Sequence, residues 1–173
     1  MNYKNYKKLV LLKKTLIILI LCFAFSIVSV HQAIASIKKI TEASGQILYK
    51  SKQSWKDQAG NAWQVVLFKR IKDNETQKIN LRLVGFPGVT EFNHPQELTI
   101  KVRDDLILTA PDVFVNNAQS PSPNVGQYDF NSLVDQLEIS NFWLLTLPVK
   151  GDQQTQIRIP YFILKQWEEI MLK

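Results

Sequence analysis

Lys78-Ile79-Asn80-Leu81-Arg82-Leu83-Val84 alternates without a break. On an extended chain Ile79, Leu81 and Leu83 fall on one side, and Lys78, Asn80 and Arg82 on the other. A period of two with one polar side specifies a half-buried strand. Gly85-Phe86-Pro87-Gly88 ends it, because proline cannot donate to a ladder and glycine permits a sharp change of direction.

The same reading extends both ways along the chain. Upstream, Gln46–Trp55 and Ala62–Ile71 are candidate strands, joined by turn residues Lys56-Asp57-Gln58-Ala59-Gly60-Asn61. Ala62–Ile71 is apolar on both sides at its centre, with Trp63, Val65 and Leu67 on one and Val66 and Phe68 on the other. That pattern predicts a strand covered on both faces. Downstream, Leu98–Arg103 alternates again, Asp104-Asp105 turns, and Leu106–Thr109 follows. Residues 115–127 are rich in Asn, Ser and Pro and read as a loop. A short helix is expected near 131–139, with Leu133, Val134 and Leu137 on one side. Phe142–Leu147 and Gln156–Ile159 are further strands.

The chain closes on a helix over 160–172. Pro160 suits its first turn, and Ile163, Leu164, Trp167, Ile170 and Met171 form one apolar face for packing on a sheet. Many short strands with a single closing helix predict a mainly β fold, an antiparallel barrel or sandwich. The strands are not separated by helical stretches, which argues against a Rossmann-like sheet.

Residues 1–35 read as a cleaved secretory signal. Lys4, Lys7, Lys8, Lys13 and Lys14 precede an apolar run, and Ala33-Ile34-Ala35 supplies small residues at the cleavage positions. Residues 36–44 then form a leader, and 45–173 a single β-rich domain. Cleavage leaves no stable membrane span. Cys22 lies within the segment and is not preceded by the small residues of a lipidation site, so the remaining chain has no thiol or disulfide chemistry.

Charge changes with it. The chain carries 21 basic and 15 acidic residues, a net +6. Five of the basic residues and none of the acids precede Ser36, so 16 basic residues face 15 acids and the remainder is near +1. A nucleic-acid partner calls for a strongly basic surface, and this domain is nearly neutral.

Catalytic signatures are sparse. His94 is the single histidine after residue 35 and lies beside Pro95 in a loop. Asp104 and Asp105 are adjacent and point to opposite faces of an extended chain, which separates them as an acid and base pair. No phosphate loop, nucleophile elbow or metal-ligand spacing appears. The reading assigns no catalytic residue, no metal and no cofactor.

Two surface features remain. Lys78, Arg82, Lys101, Arg103 and Arg158 occupy outward strand positions and would form a positive patch if their strands share a sheet face. Phe86, between Gly85 and Pro87, is either an exposed aromatic anchor for a partner or a plug at the end of a barrel.

Trp63-Gln64-Val65-Val66-Leu67-Phe68-Lys69-Arg70, Leu81-Arg82-Leu83-Val84-Gly85-Phe86-Pro87-Gly88 and Ile159-Pro160-Tyr161 with Gln166-Trp167 resemble an exported cyanobacterial family of unknown function, over most of residues 42–172. The resemblance implies the periplasm or thylakoid lumen and carries over no catalytic residue. The leading expectation is a non-enzymatic accessory domain acting by protein contact, with a membrane-associated complex as its partner. A small-ligand or lipid carrier using a barrel interior is one rival, and a hydrolase using dispersed carboxylates is another.

Overall fold

Alternation along the strands is realised as two antiparallel sheets whose apolar sides face each other. In this computed structural model residues 8, 12–16, 37–114, 122–136, 138–151 and 154–173 are described. The chain divides into two units, Met1–Ile34 and Ala35–Lys173. In the first, residues 12–16 are helical, and Thr15 Oγ1 donates to the Leu12 carbonyl at 2.9 Å. The rest of the expected signal segment, with Cys22 and Ala33-Ile34-Ala35, lies outside the described residues.

The second unit runs β1 (Lys38–Ala43), β2 (Gln46–Lys56), β3 (Ala62–Lys72), β4 (Glu75–Val84), β5 (Leu98–Arg103), β6 (Leu106–Ala110), β7 (Val125–Asp129), β8 (Phe142–Leu147), β9 (Thr155–Pro160) and helix α1 (Tyr161–Met171). One sheet has five strands in the order β1-β2-β3-β4-β7, and the other four in the order β6-β5-β8-β9. Neither closes into a barrel, so the architecture is sandwich-like. Residues 38–43, expected as a leader, pair with β2 as an edge strand. The helix expected near 131–139 is a single 3-10 turn, Asn131–Leu133. Its candidate Leu137 lies outside the described residues, as do residues 115–121 of the expected loop; Val125–Asp129, at the end of that stretch, forms β7.

The space between the sheets is filled. Trp143, Trp167, Tyr128 and Phe130 are its largest fully buried side chains, joined by Leu67, Leu81, Leu83, Ile100, Leu145 and Ile157. Trp143 and Trp167 meet edge to face at 5.9 Å, a favoured aromatic geometry. This packing takes up the interior that a barrel-type carrier would use. Helix α1 touches β2 and β3 of one sheet and β8 and β9 of the other. It buries the five residues expected on its apolar face. Polar contacts hold it in register: Gln166 Oε1 accepts from Ser51 Oγ and Gln53 Nε2 of β2, each at 3.3 Å. Among the described residues no helix is long and apolar enough to cross a membrane.

Candidate functional site

Even-numbered residues of β2 and β3, and of β4 from Lys78 onward, point away from the core. The register sets them in rows. Leu48, Arg70 and Lys78 form one; Lys50, Phe68 and Asn80 the next; Lys52, Val66, Arg82 and Gln127 the third. The surface they make is a groove of about 620 Å3 on the outer face of the five-stranded sheet. Its floor is apolar, with Leu48, Val66, Phe68 and Val84. Five cations, Lys50, Lys52, Arg70, Lys78 and Arg82, line it against one carboxylate, Glu42.

Side chains rather than a second sheet cover β3 on this side, which corrects the expectation of a strand between two layers. Phe68 is buried, and the Arg82 guanidinium lies 5.6 Å from its ring centroid. Arg82 is held in place by Gln127, whose Oε1 accepts from Nε at 2.9 Å and from an Nη at 2.6 Å. Burial, and then the charge of Arg70, both work against the Arg82 cation and lower its pKa. Across the groove, Arg70 pairs with Glu42 at 2.8 Å, and this hydrogen-bonded pair holds the Glu42 carboxyl below its ordinary pKa. Asp129, opposite Asn80 on β7, is turned to Asn131, accepting from its backbone N–H at 2.8 Å and its side-chain amide at 2.7 Å.

The five cations singled out from sequence do not share one face. Lys78 and Arg82 lie in the groove on β4, whereas Lys101, Arg103 and Arg158 belong to the four-stranded sheet. Lys101 pairs with Asp104 at 2.8 Å, and Arg103 with Asp105 at 2.7 Å and also with Glu138. Arg158 lies over the Phe142 ring, 3.8 Å from its centroid. Lys50, Lys52 and Arg70 were not anticipated as partners of Lys78 and Arg82. Their signal was the i, i+2 spacing of Lys50 and Lys52 on a strand whose partner was unknown.

Phe86 is exposed, as an anchor reading expects, and does not plug an end of the sandwich. Its carbonyl accepts from the backbone N–H groups of Val89 at 3.2 Å and Thr90 at 3.0 Å, so the turn is held by backbone while the ring projects. His94 is not a free loop residue. Its Nδ1 meets the buried Asp112 carboxylate, and its ring stacks on Phe114 at 5.7 Å. Asp112 also accepts from the Phe114 N–H at 2.9 Å. These contacts tie the loop before β5 to the segment after β6. His94 Nε2 is buried and has no hydrogen-bonding partner among the described residues.

The family model for protein of unknown function DUF3122 matches residues 35–170. The chain belongs to the DUF3122 family. The match spans all nine strands and nearly all of α1, and the groove's lining residues lie within it. No curated protein matches the chain, and no solved structure matches it.

Proposed function

We propose that this DUF3122 protein is an exported, non-enzymatic accessory domain that binds an acidic protein partner at or near a membrane, in the periplasm or the thylakoid lumen. Export rests on the basic, apolar and small-residue order of residues 1–35. The location rests on the family resemblance.

One observation carries the binding reading. The groove sets five cations around an apolar floor with one opposing carboxylate, on a domain whose net charge after residue 35 is near +1. Concentrating positive charge in one concavity favours an anionic partner and speeds its encounter. A groove with a single carboxylate among its described lining residues also lacks the acid and base pair that the hydrolase reading needs.

The test is crosslinking and affinity purification from membranes, comparing the natural protein with a Lys78→Gln/Arg82→Gln double variant. One stable partner should be recovered with the natural protein and lost with the variant. A protein that elutes alone, or a partner retained equally by both, would remove the reading.

A further inference from the structure

The Arg70–Glu42 pair takes its carboxylate from a distortion of the edge strand. Lys38 to Thr41 of β1 pair in step with Lys50 to Ile47 of β2, but the register shifts between Thr41 and Ala43, and Glu42 is the residue at the shift. Such irregularities re-aim a side chain. Here Glu42 reaches Arg70 with both oxygens, accepting from Nε at 2.8 Å and from an Nη at 3.2 Å. Two-pronged contact of this kind is the geometry in which a guanidinium recognises a carboxylate. The pair is part-exposed at the rim, and exposed ion pairs hold weakly.

The layout of the cations bears on what would take that place. Arg70 and Lys78 face each other in one end row, Arg82 and Lys52 flank Val66 in the other, and Lys50 lies beside Phe68 in the row between. Arg70 and Val66 are four residues apart on β3, about 13 Å at the rise of a strand, with Phe68 between them. A compact anion such as one phosphate calls for cations converging on a point. Two cations in each end row, against one beside Phe68 in the middle row, fit an extended segment with acids at i and i+4 and an apolar side chain at i+2.

We propose that the ligand of the groove is an extended acidic peptide segment with that spacing, and that Glu42 occupies the place of one of its carboxylates on Arg70 in the free domain. This rests on the binding reading above. Glu42 thereby acts as a built-in competitor: the partner gains Arg70 only by displacing it.

The purified protein is titrated, by fluorescence anisotropy, into a labelled eight-residue peptide with Glu at its third and seventh positions and Leu at its fifth. A scrambled peptide, inorganic phosphate and phosphatidylglycerol vesicles are tested alongside. Glu42→Gln should tighten binding of the spaced peptide about two- to fivefold. Arg82→Gln should weaken it about tenfold. Glu42→Ala, checked for folding by circular dichroism, should behave as Glu42→Gln does. If Arg82→Gln weakens binding and neither Glu42 variant tightens it, the competitor role is overturned. Equal binding of the scrambled peptide overturns the spacing. If phosphate or the vesicles bind in an Arg82-dependent way and neither peptide does, the ligand class is overturned while the groove remains an anion site. If none of them binds, the binding reading falls with the proposal.

Discussion

Lys69 Nζ donates a 2.7 Å hydrogen bond to the carbonyl oxygen of Met171, the last residue of α1. Lys69 is on the inward side of β3 and only 6% exposed. Its cation meets carbonyls that a helix end leaves unpaired, at the negative pole of the helix dipole. Burial lowers the Lys69 pKa, so the charge is held inside at some cost, and the carbonyl is what justifies it. Lys69→Met keeps the stem and removes the donor. It should cost about 1–2 kcal/mol, read from the midpoint of urea unfolding.

Asp57 ties the β2–β3 turn to the core. Its carboxylate accepts from the Trp63 indole at 3.0 Å, from the Asn61 backbone at 2.8 Å and from the Asn61 amide at 2.9 Å. Burial pushes the carboxyl up, but these hydrogen bonds outweigh it and leave the pKa below the ordinary range. A depressed carboxylate contributes stability above its unfolded pKa, near 4, and loses it as pH falls through the folded value. Asp57→Asn should therefore cost about 1–3 kcal/mol at pH 7, and the gap from the natural protein should shrink toward pH 3. Denaturant unfolding at the two pH values measures both; a gap that stays constant would contradict the assignment.

Gly126 on β7 lies against two rings. A Cβ there would sit 2.7 Å from the Tyr128 hydroxyl oxygen and 2.8 Å from Phe92 Cε1, and both rings are buried. Gly126→Ala should destabilise by about 1–3 kcal/mol, seen as a lowered Tm. An unchanged Tm would mean that the rings move aside freely.

Phe86 is 66% exposed, and only its backbone takes part in the turn. Phe86→Ser should leave unfolding free energy within about 0.5 kcal/mol. A larger loss by chemical denaturation would show that the ring packs on the domain.

Which side of β4 and of β5 is buried was legible from alternation alone. Ile79, Leu81 and Leu83 are inward as read, as are Leu98, Ile100 and Val102. Sheet membership was not legible, because a period of two ranks the faces of one strand and carries nothing about its neighbours. Lys78 and Arg103 looked equivalent for that reason, and they stand in different sheets. Phe68 misled in an instructive way. An apolar residue on the outer side reads as evidence for a second layer, yet long cationic stems shield it as well. The acid that meets Arg70 was out of reach, since Glu42 fell in a stretch with too little alternation to suggest β1, and its register shift leaves no mark on composition.

The order of the strands along the chain differs from their order in space, and this has a mechanical consequence. The backbone builds four strands of one sheet, crosses to lay down β5 and β6, returns to place β7 beside β4, and crosses again for β8 and β9. The layers are thus stitched together by the thread itself, and no single cut in it frees one layer from the other. They should come apart in one step. Spectral probes near Trp63 in β3 and Trp143 in β8 should report the same midpoint, although the two indoles belong to different layers.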